Sequence, residues 1–248
     1  MKVFYRPEQV AQTTSFSPSS LKPGLVVQDW LKYSGLDIQL CGFEPVTQRQ
    51  LALAHDPKFV RAVLSGETAN GFGNTDKAVA ASLPFTTGSL VAAAEYAIRN
   101  HDVVCSPTSG FHHAGYDRAE GFCTFNGLLV TAMVLKEQGL VNRVGIIDCD
   151  VHYGNGTDQS IGKLGLDWVK HHTQGAVFRS RADVVDGAFT RWLNHAIDGC
   201  LDCDLILIRQ VRTRMLMTHS ADSKRHRKWV QETDWFLNDS DTWRWPGA

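Results

Sequence analysis

A chain of 248 residues, 43% hydrophobic and 21% charged, has the length and balance for one large domain with a sizeable core. Its formal net charge of -1 gives no overall pull toward nucleic acid or an anionic membrane. No apolar run reaches the ~20 residues of a membrane helix, and MKVFYRPEQ lacks the apolar centre of a signal peptide, so the cytoplasm is the expected location.

In chain order, Met1 to Leu21 reads as a short strand and a Ser/Thr/Pro-rich loop, followed by a helix near Pro23 to Tyr33. Ile38 to Val46 has strand character, and QRQLALAHDPKFVRAVLSG has helical spacing broken at Asp56-Pro57. His55 stands at that break and is read as capping a turn rather than as a functional group. The NGFGN loop lacks the flanking strand and helix of a phosphate cradle. SLPFTTGS then leads into an alanine-rich helix, Leu90 to Arg99, and DVVCS (Asp102 to Ser106) is a short buried strand.

That strand delivers SPTSGFHHAGYDRAEGFCTFN. Adjacent side chains point to opposite sides, so His112 and His113 are expected to act differently, and imidazoles suit proton transfer near neutrality. The competing reading is a solvated histidine turn. Phe122 and Phe125 either wall an apolar slot or belong to the core.

Val144 to Thr157, VGIIDCDVHYGNGT, holds a buried strand followed by Asp148, Asp150 and His152 at every second position. Alternation predicts these three on one side, with Cys149 and Val151 on the other. Carboxylates and an imidazole at a strand's carboxyl end are donors that zinc accepts, so Asp150 and His152 read as half of a metal site. The alternative is that the aspartates cap a helix or hold a turn. A third buried strand follows near Asp204 to Ile208, after a helix near Phe189 to Asp198. Cys200 and Cys203 form a lone CxxC, and with the other four scattered cysteines are read as reduced core thiols.

Together, PTSGFHHAGYDRAEGFCTFN and VGIIDCDVHYGNGT resemble the zinc-dependent histone deacetylase family, in its bacterial class II-like and acetylpolyamine amidohydrolase branch. The resemblance runs from about Tyr5 to Leu207 and implies an incomplete deacetylase-like domain over 1–207. It implies an arginase-like three-layer α-β-α fold with a mainly parallel sheet. It also implies a hydrolase acting on linear amides, with acetyl-lysine or acetylpolyamine-type substrates. Asp150 and His152 match two zinc ligands, His112 and His113 the proton-handling pair, and Asp148 and Asn155 the groups that orient them. Gly121 and Phe122 match residues lining the substrate tunnel; Asp148, Asp150 and His152 also match contributors to a monovalent-cation (K+) site.

After Leu207 the resemblance stops. The aspartate-proline carrying the third zinc ligand and the later Gly-Gly-Tyr are missing, and residues 208–248 are basic at first and tryptophan-rich at the end. Reading from the last base of the Leu207 codon, suitable codons for Ile208 to Ala221 also encode Tyr-Gln-Ala-Gly-Ala-Asp-Ala-His-Val-Asn-Asp-Pro-Leu-Gly, the missing family segment. A frameshift near Leu207 is therefore expected, with impaired activity; the alternative is a non-catalytic, deacetylase-like remnant. Asp204, Asp222 and His219 are the replacement ligands considered, with nothing in their spacing to select one. A genuine basic extension bearing Arg209, Arg212, Arg214, Lys224, Arg225, Arg227 and Lys228 would suggest nucleic-acid contact, but charge runs usually face solvent, so no nucleic-acid or membrane partner is expected.

Overall fold

The computed structural model describes residues 1–13, 15, 17–178, 187–211 and 229–234, with Val211 and 229–234 described by their backbone alone. Its strands are β1 (Lys2–Phe4), β2 (Gln39–Cys41), β3 (Val104–Pro107), β4 (Val144–Asp148), β5 (Val169–Thr173), β6 (Leu205–Val211) and β7 (Trp229–Asp234). They form one sheet in the order β2-β1-β3-β7-β6-β4-β5, parallel at every pairing.

A parallel sheet needs both faces covered, and strand alternation supplies two apolar faces here. Phe4, Val104, Val144, Ile146, Leu205 and Leu207 belong to the larger core. It is closed by α2 (Gln48–Leu51), α3 (Pro57–Ser65), α4 (Lys77–Asn100), α5 (Gly127–Glu137) and α6 (Asn155–Leu164). On the opposite face Val3 and Cys105 meet Val27 of α1 (Lys22–Tyr33), and Ile147 and Ile206 meet Ala196 of α7 (Ala188–Gly199). The result is the expected α/β arrangement, a parallel sheet between two helical layers. Among the described residues no helix is long and apolar enough to cross a membrane.

Local chemistry explains most boundaries. The Asp56 carboxylate accepts from Lys58 and Phe59 amides, Pro57 begins α3, and Gly66 ends it at φ 82°. The helix expected over Leu90 to Arg99 is longer, since SLPFTTGS already lies inside α4. Pro84 removes one donor from that helix, but its carbonyl accepts the Val46 N–H at 3.1 Å, and Asp76 caps the start. The strand expected over Ile38 to Val46 contracts to β2, and β6 runs on past Leu207 to Val211.

Candidate active site

The site lies where β3 and β4 end. Asp148 is the last residue of β4, and the chain then turns instead of continuing the pleat. The Asp150 amide donates to Asp148 Oδ1 at 3.1 Å, and the His152 amide donates to Asp150 Oδ1 at 2.8 Å. These side chain-to-backbone bonds, rather than strand alternation, bring Asp148, Asp150 and His152 together. Cys149 does face the other core, beside Ile147 and Ala196. Asp148 and Asp150 are fully buried, whereas the His152 side chain keeps 54% of its exposure. His152 Nδ1 lies 3.0 Å from Asp150 Oδ1.

The loop after β3 carries the histidine pair to the same place. The expectation that His112 and His113 point to opposite sides is corrected: their ring centroids are 3.9 Å apart, because the two residues sit in a turn. They differ through their partners. His112 is fully buried with Nδ1 2.7 Å from Asp148 Oδ2, and His113 Nδ1 lies 2.6 Å from Asn155 Oδ1 at the start of α6. The Thr157 amide donates to the His112 carbonyl at 3.0 Å, which ties α6 to the loop. His113 and His152 stand 5.9 Å apart, ring to ring.

Gly121 and Phe122 both have positive φ, 57° and 61°. A Cβ at Gly121 would lie 2.5 Å from His113 Cδ2, so only glycine leaves room for that ring. Phe122 packs against Phe72 of the NGFGN loop at 5.9 Å, forming an apolar wall next to the Gly121–His113 contact. Phe125 instead joins the core against His55 and Phe59. His55 does more than cap a turn. Its Nε2 accepts from the Asn126 amide at 2.7 Å and its Nδ1 donates to the Tyr116 carbonyl at 3.2 Å, joining the two ends of the histidine loop.

The residue that sequence reading missed is Arg209. It pairs with Asp148 in the β4–β6 register, so the two side chains share a face, and it is fully buried. Its Nη1 donates to Asp150 Oδ2 at 2.5 Å and to Asp148 Oδ1 at 3.1 Å, and lies 3.2 Å from His112 Nδ1. The signal was the alternation Leu205, Leu207, Arg209, which carries the larger-core face of β6 to the level of Asp148.

Charge at the site follows from this arrangement. Burial alone would raise the Asp148 carboxyl, but His112 and Arg209 outweigh it and hold the group at about 2. Asp150 is likewise lowered against the effect of burial, chiefly by Arg209 and then by the His152 hydrogen bond. His152 is raised by its bond to Asp150. Burial and the neighbouring His112 ring push His113 down to about 4, which keeps it neutral at pH 7.

The donors present do not fit a zinc ion. Asp150 presents one oxygen to His152 and the other to a guanidinium, and among the described residues no group of three His, Cys, Asp or Glu side chains is arranged to hold a metal. A monovalent cation shared by Asp148 and Asp150 meets the same guanidinium. Of the replacement ligands considered, Asp204 accepts the Asn142 and Arg143 amides ahead of β4 and β6, at the opposite ends of those strands from the site. Asp222 and His219 lie outside the described residues, as do Arg212, Arg214, Lys224, Arg225, Arg227 and Lys228.

Comparison with known proteins matches residues 18–164 to the Histone deacetylase domain. An uncharacterized protein of Picosynechococcus is 31% identical over 112 residues, covering 43% of this chain and 37% of that protein. Human Histone deacetylase 9 is 42% identical over 72 residues (29% of this chain, 7% of that one), and a Probable deacetylase of Methanothermobacter thermautotrophicus is 38% identical over 72 residues (29% and 22%). The matched stretches thus span 37% or less of these relatives' own length. The crystal structure of the HDA15 HD domain superposes with a TM-score of 0.73 at 15% identity, covering 96% of this chain and 84% of that one, a likeness of fold. With more than half its length matched to that domain, the chain belongs to the histone deacetylase family.

Proposed function

We propose that the chain carries the proton-transfer half of an amide-hydrolysing deacetylase, directed at acetyl-lysine or acetylpolyamine-type amides, and that its turnover as it stands is impaired. The supporting observation is the pair of adjacent imidazoles with unlike partners, His112 on Asp148 and His113 on Asn155. Amide hydrolysis requires a proton to be taken from water and one to be given to the departing amine. Asn155 Oδ1 can only accept, so it holds His113 Nδ1 as N–H and leaves the Nε2 lone pair to take a proton. Asp148 fixes the orientation of His112 in the same way. The wall of Gly121, Phe122 and Phe72 beside His113 suits the methylene stem of a lysine or polyamine.

Impairment follows from the electrophilic side. The zinc-dependent reaction expected from the family needs three donors and an open coordination position, and Arg209 stands against both carboxylates instead. The same observation favours the second reading, a non-catalytic deacetylase-like remnant. Hydrolysis of a fluorogenic acetyl-lysine peptide and of an acetylated polyamine by wild type and His113→Ala separates the two. Weak turnover that disappears in His113→Ala supports an impaired enzyme. Wild-type turnover no higher than the variant's leaves the remnant.

A further inference from the structure

We propose that Arg209 is the resident cation of this site: its guanidinium balances the charge of Asp148 and Asp150 where the family would place a metal ion, and the folded chain does not take up zinc there. The inference concerns the same residues as the proposed function but does not rest on it, since it holds whether or not the chain hydrolyses an amide. Three observations carry it.

The first is placement. Arg209 is the register partner of Asp148 on the central part of an all-parallel sheet, so its side chain is built into the site by the strand rather than brought in by a surface loop. Its carbonyl also accepts the Cys149 amide at 2.9 Å, which ties the residue after Asp148 to β6. The second is burial. Arg209, Asp148 and Asp150 are each 0% exposed, and buried carboxylates side by side both stay ionised only when a positive charge compensates them. One guanidinium nitrogen reaches an oxygen of each, at 3.1 and 2.5 Å, which is charge-assisted hydrogen bonding to both acids at once. The third is competition. A dication bound at Asp150 Oδ2 would have to share that oxygen with Arg209 Nη1, and an arginine cannot give up its charge to make room. His152, the second expected ligand, already turns Nδ1 to the other oxygen of Asp150.

The test uses the whole chain. Wild-type protein is equilibrated with zinc chloride, desalted and assayed for bound zinc by elemental mass spectrometry, and its unfolding midpoint is measured with zinc chloride and with EDTA. Substoichiometric zinc and a midpoint that moves with neither addition are expected. One zinc per chain that is lost in Asp150→Asn would overturn the proposal, as would a several-degree rise of the wild-type midpoint with zinc that Asp150→Asn lacks. Arg209→Met, which removes the charge but keeps the length, is expected to lower the midpoint by on the order of 10 °C or to prevent folding. An Arg209→Met chain as stable as wild type also overturns it, and the wild-type zinc measurement decides even where the variants fail to fold.

Discussion

Lowering the pH should loosen the joint that holds the histidine loop, through His55. This ring is completely buried, accepts the Asn126 amide through Nε2 and donates to the Tyr116 carbonyl through Nδ1. Burial is the largest influence on it and lowers its pKa from 6.5 to about 4, because a second ring proton would displace the Asn126 bond without gaining a buried counter-charge. The sign follows from linkage. Between the two values the unfolded chain binds a proton that the folded chain refuses, so stability is intact above the unfolded pKa and is lost as pH falls. With those values the loss from this group is about 2 kcal/mol between pH 7.5 and pH 5, approaching ~3 kcal/mol below pH 4. Urea unfolding across that range, for wild type and His55→Gln, measures it. Glutamine offers a donor and an acceptor but no titration, so its own cost is nearly constant with pH. The difference between the two curves should open by about 2 kcal/mol toward pH 5. Parallel curves for the two proteins would refute the reasoning.

Other perturbations address the packing around the site. Gly121→Ala should cost about 1–3 kcal/mol, since it combines a positive φ of 57° with a methyl 2.5 Å from the His113 ring, and an unchanged urea midpoint would count against that contact. Asp148→Asn should destabilise by about 3 kcal/mol or more, because His112 and Arg209 lose their shared carboxylate; thermal melts check it. Gly145→Ala puts a methyl 2.6 Å from Cys200 Sγ and 2.9 Å from its Cβ, an overpacking cost of about 1–3 kcal/mol that Cys200→Ala, which keeps the Cβ, should relieve only in part in the double variant.

How much of this was legible in the sequence depends on what decided each feature. The apolar run of β4, the DVVCS strand and the break at Asp56-Pro57 ahead of α3 follow from local chemistry, and the structure has them within a few residues. The helix expected from Leu90 starts at Lys77 instead, because tertiary burial of Thr86, Thr87, Gly88 and Ser89 overrides the weak helix preference of that stretch. Strand β5, VKHHT, was invisible because it is an edge strand whose polar residues are satisfied from outside the sheet. His171 lies 2.6 Å from Asp158, and the Lys170 amine donates to the Gly199 carbonyl. The pairing of His112 with Asp148 and of His113 with Asn155 was expected from resemblance alone, and the geometry has both contacts. Arg209 was misjudged because a basic run is normally a solvated face, and strand register, which a sequence does not display, turned this member of it inward.

Arg209 also gives the reading frame a physical consequence. In the alternative frame that begins on the last base of the Leu207 codon, the position now held by arginine is read as glutamine, and the Met217 and Thr218 codons supply an aspartate directly before a proline. One change would then remove the guanidinium from Asp148 and Asp150 and provide a third carboxylate donor. A neutral amide cannot balance two buried carboxylates, so the restored chain would need a cation at the site to keep both acids ionised. A restored-frame chain is therefore expected to bind about one zinc and to melt at lower temperature with EDTA, the reverse of the response expected of the chain as it stands. Sequencing across codons 200 to 248 comes first. Codons for Ile208 to Ala221 that do not permit the second reading would sink the frameshift and leave Arg209 as a native resident of the site.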